Sequence, residues 1–259
     1  MMSGDNGASL PSGAPSHGRS IERLERRFYP DPRVGDADEA FIRWVEENLP
    51  ERADVLEIGA GSGRRWERRL RSMSRSVTGI DIDPVVLTNP SLTRALMVDF
   101  RTMPFPDESF DVAVANNVVE HLDDPAALVV AAVRVLKRGG SLFIKTPNLD
   151  HYVGLASRLT PHSFHVSFNS RRGRPPAETH RTLYLMNTAK AIRRCGIKSG
   201  LDVEVRTFEG SPEYLVAHPA FYLAGVLYER TVNAVPFLRP FRCVLMARLT
   251  RGPGAARGL

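Results

Sequence analysis

VLEIGAGSG, residues 55–63, is the stretch on which the fold turns. Apolar residues run up to Ile58, glycines follow at 59, 61 and 63, and the acid Glu57 stands two residues before the first of them. An apolar strand leading through a glycine-rich loop into a helix is built to hold a ligand. Glycines let the backbone approach closely, and the free N–H groups at the start of the helix face whatever is bound. Two common occupants fit poorly. The dinucleotide fingerprint wants glycine or alanine at its sixth position, where this chain has Arg64, and no Gly-Lys-Ser/Thr follows to cradle a triphosphate. The carboxylate of Glu57 suits a cationic ligand better than a pyrophosphate.

Working outward, DADEAFIRWVEENLP (36–50) predicts an amphipathic helix with Phe41, Ile42, Val45 and Leu49 on one stripe and Pro50 stopping it. An arginine-rich helix over 64–75 follows the loop, with Trp66, Leu70 and Met73 at helical spacing. SVTGIDID (76–83), ALMVDF (95–100), DVAVAN (111–116) and SLFIKT (141–146) read as further strands. DDPAALVVAAVRVLKRGG (123–140) reads as a helix capped by Asp124, with Pro125 in its first turn and Gly139 at its end. This alternation implies an α/β domain whose parallel sheet is covered on both faces.

The rhythm breaks after Pro147. Residues 148–182 mix His, Phe, Arg and Pro without periodicity, and a loop that long is usually functional or disordered. NTAKAIRRCG (187–196) is a short helix closed by Gly196. LDVEVRTF (201–208) and RCVLMARLT (242–250) are two more strands, and between them lies an apolar, helical insertion over 213–237.

At 259 residues, 42% hydrophobic and 25% charged, the chain suits one globular domain. Residues 1–20 read as a disordered tail without an apolar core of the secretory kind, and no run of 18 uncharged apolar residues occurs. Cys195 and Cys243 are far apart and read as buried thiols, so a cytoplasmic location is expected. The net charge of +6 comes from 31 arginines and four lysines interleaved with acids. They read as solvated helix faces, and no nucleic-acid partner is expected.

Further residues extend the glycine loop into an ordered set. The second strand ends in Asp81, Asp99-Phe100 follows the third, and PFPDESFDVAVANNVVEHLDDP (104–125) and VLKRGGSLFIKTPN (135–148) come next. Together with Glu57 and the three glycines, residues 55–148 resemble the class I S-adenosylmethionine-dependent methyltransferases, in the small-molecule branch called type 11. That resemblance implies a Rossmann-like, doubly wound sheet of seven strands, mostly parallel with an antiparallel last strand. It implies a single methyltransferase domain over 21–259, with a cofactor half at about 37–148 and acceptor lid elements at 149–182 and 209–240. The cofactor implied is S-adenosylmethionine. Its expected contacts are Glu57, Gly59, Ala60, Gly61, Ser62 and Gly63 in the loop, and Asp81 on the ribose hydroxyls with Ile82 beside it. Asp99 and Phe100 are expected around the adenine, and Asn116 at the end of strand four.

The reaction implied is displacement of a methyl group from the sulfonium, most readily by an acceptor oxygen. A hydroxyl acceptor gains from a base with a pKa near neutral, which points to histidine. His121, His165 and His180 are the candidates; for His121, packing of the loop after strand four is an equal reading. His151 and His162 share the irregular segment, whereas Asp83, Asp111 and His218 read as structural. Arg171, Arg172, Arg174 and Arg181 either clamp an anionic acceptor or line a solvated loop. No metal is required.

Two other functions stay in view. An RNA or nucleobase methyltransferase would carry Asn/Asp-Pro-Pro-Tyr/Phe after strand four, where this chain has Asn116-Asn117-Val118-Val119. A non-catalytic S-adenosylmethionine-binding protein would share the cofactor site alone. The acceptor expected is a small or lipid-linked molecule. Over 214–228, Phe221, Tyr222, Gly225 and Tyr228 line one side of a helix and Leu223, Val226 and Leu227 another. Such a helix packs under a lid, roofs an apolar pocket, or makes a peripheral membrane contact.

Overall fold

The computed structural model describes residues 18–31, 33–63, 65–154 and 182–252. Seven strands form one sheet: β1 (Asp54–Ile58), β2 (Ser76–Asp81), β3 (Arg94–Met97), β4 (Phe110–Asn116), β5 (Leu136–Pro147), β6 (Leu201–Phe208) and β7 (Val244–Arg251). Their order is β3-β2-β1-β4-β5-β7-β6. The first five pair in parallel, and β7 runs antiparallel to both β5 and β6. The mostly parallel sheet with an antiparallel last strand is therefore present. Strand order reverses between β1 and β4, which opens a crevice at the carboxyl ends of those strands; open α/β sheets bind their ligands there.

Among the described residues six helices accompany the sheet: α1 (Arg19–Phe28), α2 (Ala37–Glu46), α3 (Arg65–Met73), α4 (Pro125–Val135), α5 (Ala189–Lys198) and α6 (Pro219–Ala234). Every residue of β1 is buried, as a central strand covered on both faces requires. Side chains alternate between the two faces. Val55, Val77, Val112 and Phe143 meet Phe41, Ile42 and Val45 of α2 and Leu70 of α3. Leu56, Ile80, Ala113 and Leu142 meet Leu128 and Ala132 of α4 and Ile192 of α5 on the other side.

Several local readings change. α2 also buries Trp44, whose ring stands edge-on to Phe143 at 5.5 Å. On α3, Arg69 is no free solvated cation, because its guanidinium bridges Glu39 at 2.7 Å and Glu46 at 2.5 Å and so clamps α3 to α2. α4 stops at Val135, four residues before Gly139. Leu136 already pairs with Phe110, and the register then shifts to Val112 against Ser141. Gly139, at φ +79°, serves this bulge instead of a helix end. α1 begins at Arg19, inside the stretch read as tail; residues 1–17 lie outside the described residues. Neither cysteine is in a disulfide and both are only half-buried, and burial pushes the Cys195 thiol pKa up. Among the described residues no helix is long and apolar enough to cross a membrane.

Candidate active site

The glycine loop leaves β1 at the strand-order reversal. Gly59, Gly61 and Gly63 all have positive φ, at 74°, 51° and 97°, the left-handed region that side chains other than glycine's resist. Gly59 and Gly61 differ in purpose. A Cβ on Gly59 would stand 2.5 Å from Val118 Cγ2, so this glycine lets the loop pass under the segment after β4. A Cβ on Gly61 would meet nothing within 4 Å, so its backbone faces open space, where a ligand can approach it.

The loop is held from three sides. Gly59 and Ala60 donate their N–H groups to Ile80 O at 2.8 and 3.2 Å. Gly61 N–H donates to Asp81 Oδ2 at 2.9 Å, while Asp81 Oδ1 accepts from Asp83 N–H at 2.9 Å. From below, the buried Asn89 amide donates to Ala60 O at 3.1 Å and Gly61 O at 3.4 Å. Neither Asn89 nor Gly79 was picked out by the motif reading. Gly79 in β2 admits the loop, since a Cβ there would stand 2.8 Å from Ala60 Cβ. An isolated glycine inside a strand was the signal that could have found it.

Around this loop the acids gather. Glu57 is 2% exposed at the end of β1. Asp99 caps the 3-10 turn Phe100–Thr102 through Arg101 N–H and also pairs with the Arg101 guanidinium at 3.2 Å; Phe100 is buried behind it. Ile82 is 74% exposed beside Asp81, so its side chain is available to a ligand. Asn116, at the end of β4, donates to Asp38 Oδ1 at 3.2 Å, and its own Oδ1 is buried without a hydrogen-bond partner. Asp38 also pairs with Lys145, a buried lysine whose register partner on β4 is Asn116. The start of α2 is thereby fastened to the carboxyl ends of β4 and β5. The sequence reading had assigned no role to Asp38 or Lys145.

These residues fit S-adenosylmethionine. Carboxylates flank the loop for a cation and for hydroxyl donors, a backbone opening lies at Gly61, and Asn116 keeps one buried acceptor in reserve. When bound, that molecule supplies a methyl group already activated on a sulfonium.

The candidate bases divide. His121 closes the 3-10 turn Val119–His121 directly after β4 and is half-buried. Its neighbour Glu120 points inward and accepts from Thr146 Oγ1 at 2.8 Å, which fixes the turn. His162, His165 and His180, with the arginines at 171–181, lie outside the described residues. His151 is buried, 3.5 Å from Glu209 Oε2 and against the rings of Tyr152 and Tyr228. Glu209 in turn accepts from Cys243 N–H at 2.6 Å, so three chain segments meet at this end of the sheet. Asp83 caps the turn after β2, and Asp111 holds Asp54 N–H and Lys137 Nζ, both at 2.8 Å; both are structural. His218 caps α6, accepting from Ala220 N–H at 3.2 Å.

Beneath the insertion the chemistry is more polar than its sequence suggests. A cavity of about 360 Å³ is lined by Tyr29, Phe208, Glu209, Glu229, Asn233 and Arg242, among others. Glu229 accepts from Tyr29 Oη at 3.1 Å and from Asn233 Nδ2 at 2.6 Å. Tyr222 does not face a pocket with Phe221; it is sealed in a small core with Ile21 and Val226.

Comparison with known proteins adds three findings. A family model described as a methyltransferase domain, type 11, matches residues 56–144. A protein of Mycolicibacterium smegmatis named "Probable S-adenosylmethionine-dependent methyltransferase" is 34% identical over 151 residues, covering 56% of this chain and 56% of that protein. A "Ubiquinone biosynthesis O-methyltransferase" of Xanthomonas axonopodis is 34% identical over 117 residues, covering 41% of this chain and 48% of its own length. The chain thus spans about half the length of the curated relatives it matches. An S-adenosylmethionine-dependent methyltransferase structure from Mesorhizobium loti superposes with a TM-score of 0.53 at 17% identity, over 85% of this chain and all of that one. At that identity the likeness concerns the fold alone.

Proposed function

We propose that this chain, whose residues 56–144 match the type 11 methyltransferase domain, is an S-adenosylmethionine-dependent methyltransferase that methylates an oxygen of a small or lipid-linked acceptor. The observation that carries the cofactor reading is the clasp of Asp81 on Gly61 N–H at the strand-order reversal. It sets a carboxylate and an open backbone side by side. An oxygen acceptor is favoured by the name of the relative called "Ubiquinone biosynthesis O-methyltransferase", which matches 41% of this chain.

The chain's own part is mainly to position and to exclude water, since the methyl carbon needs no further activation. The Asp38–Lys145 pair and Asn116 hold the start of α2 against the cleft. His121 takes the proton of the acceptor hydroxyl on an imidazole nitrogen, and the bound sulfonium would supply the methyl group that replaces it. A base in this role contributes about 10²–10⁴-fold.

The test combines calorimetric titration of S-adenosylmethionine with incubation of the protein and methyl-labelled cofactor in a cell extract, followed by mass spectrometry. A labelled methyl ether or ester supports the reading, and His121→Ala should then lose about 10²–10⁴ in turnover at unchanged cofactor affinity. Label in ribonuclease-sensitive material would favour an RNA acceptor instead. Tight binding with no labelled product would favour a non-catalytic binder.

A further inference from the structure

The cavity of about 360 Å³ beneath the insertion takes no part in the chemistry above. It lies at the carboxyl edge of the sheet, where Phe208 ends β6 opposite Val244, and Val244 stands opposite Pro147 of β5. Three strand spacings separate β6 from β4, so this edge position is about 14 Å from the strand end that carries Asn116. Phe28, Tyr29 and Phe208 give the cavity apolar walls, and Glu209, Glu229 and Asn233 stand among them. Its volume is that of a small ligand pocket, with room for one pyranose ring.

The polar atoms of these walls are unevenly used. Tyr29 Oη and Asn233 Nδ2 both donate to Glu229, at 3.1 and 2.6 Å. Arg230 Nε pairs with the same carboxylate at 3.2 Å, and its Nη2 donates to Phe28 O. Arg242 turns all three nitrogens to main-chain carbonyls, those of Val232, Thr207 and Asn233. The side-chain donors of the wall are thus engaged, and two acceptors are left over. Glu209 has a side chain only 7% exposed, and its Oε2 takes Cys243 N–H at 2.6 Å with His151 Nε2 at 3.5 Å. Its Oε1 has no partner among the described residues, and neither has Asn233 Oδ1. A buried carboxylate oxygen without a donor is costly, so Oε1 calls for donors from outside the chain.

We propose that this cavity binds a neutral sugar ring, a pyranose whose hydroxyls donate to Glu209 Oε1 and Asn233 Oδ1 while its C–H faces lie on the aromatic walls. Charge selects against an ionised ligand. Glu209 and Glu229 are matched by Arg230 and Arg242 on the wall, and Asp31 of the lining is paired with Arg33 at 3.0 Å. An anion would face the Glu209 carboxylate with the guanidinium groups already engaged, and an ammonium would share the cavity with the Arg242 cation. A hydroxyl brings the missing donor without a charge, and the aromatic walls take the ring's C–H faces out of water. The binding reads independently of methyl transfer. Only its use, holding one sugar unit of a larger acceptor, rests on the proposed function.

Saturation-transfer NMR titrations of the full chain test it, with the methyl pyranosides of glucose, galactose and mannose as probes. At least one should bind. Its uronic acid and 2-amino counterparts, which put a charge on the same ring, should bind at least about threefold more weakly. Glu209→Gln turns an acceptor into a donor and should weaken the best probe by about tenfold or more. Val34→Trp alters a lining residue that is 73% exposed, so it should block the cavity with melting temperature and S-adenosylmethionine affinity unchanged. Should Glu209→Gln fail to fold, Val34→Trp decides alone. No binding by any of the three probes, binding that Val34→Trp leaves intact, or tighter binding of a charged counterpart overturns the proposal. If a sugar binds and S-adenosylmethionine does not, the proposed function fails and the sugar site stands; the reverse result removes the site and leaves the proposed function.

Discussion

Replacing Asp81 with Asn tests the cofactor site at its most loaded point. The carboxylate accepts one backbone N–H on each oxygen, from Gly61 and from Asp83, both at 2.9 Å. An ionised carboxylate has roughly four acceptor sites, so about two remain for a pair of ribose hydroxyls. The amide keeps one oxygen and turns the other into a donor, which must face a backbone N–H or the ligand. Each charge-assisted bond is worth about 1.5–3 kcal/mol, and leaving a donor opposed costs about 1–3 kcal/mol. A net loss of about 2–4 kcal/mol in S-adenosylmethionine affinity follows, or roughly 30- to 1,000-fold.

Part of that loss could come from a loosened loop, and a ligand cycle separates the two contributions. Calorimetric titration would compare the unaltered chain and Asp81→Asn with S-adenosylhomocysteine and with its 2′,3′-dideoxy analogue. If Asp81 holds the hydroxyls, the substitution costs much less with the analogue than with the parent ligand. Equal losses with both would reduce Asp81 to a clasp for the loop, and an unchanged affinity for the parent ligand would remove it from the site.

Gly59→Ala should destabilise the fold by about 1–3 kcal/mol, because it combines φ +74° with a clash on Val118, whereas Gly61→Ala, with open space around it, should cost less stability yet weaken cofactor binding; melting curves and titrations on the two variants check the contrast. Lys145→Met strips the cationic partner from Asp38, leaving it the Asn116 amide, and should cost about 1–3 kcal/mol in urea denaturation, with Asp38→Asn/Lys145→Met costing less than the sum of the single changes. Burial pushes the phenols of Tyr222 and Tyr228 up to about 12 from 10. The native chain then keeps protons that the unfolded chain releases, so the contribution of these two phenols to stability is flat below pH 10 and falls between pH 10 and pH 12. Tyr222→Phe should remove its share of that fall and cost little at neutral pH, since Tyr222 Oη is buried without a hydrogen-bond partner; urea midpoints across the alkaline range read both.

The strands and the glycine loop of the parallel part of the sheet were legible because their signals are local. Glycines with positive φ, an apolar strand before them and acids at strand ends stand within a few residues of one another, and each of those features announces its own backbone demand. The end of α4 shows where local reading fails. Leu136, Lys137 and Arg138 continue a helical pattern to Gly139, but Leu136 gains a strand partner in Phe110, and that pairing outweighs a few tenths of a kcal/mol per residue of helix propensity. Asn89 was invisible for a related reason. Its amide supports the glycine loop from 28 and 29 residues away, and an Asn before Pro90 reads only as a turn.

The end of the sheet where β5, β6 and β7 meet is assembled differently. His151 follows β5, Glu209 follows β6 and Cys243 precedes β7; they meet only because β7 enters the sheet antiparallel and so starts at the edge where β5 and β6 end. Tyr29 reaches Glu229 across 200 residues of sequence. Periodicity carries no information about such contacts. It placed Tyr222 beside Phe221 on one side of an apolar helix, yet the two diverge by about 100° around the axis. Which of them is buried was settled by α1, a helix that the sequence reading did not single out. Ile21 and Leu24 of α1 cover Tyr222, and the same packing turns Phe221, Leu223 and Leu227 outward. An apolar stretch that seemed to call for a pocket is thus half core and half surface, and the division was made by a partner helix about 200 residues earlier in the chain.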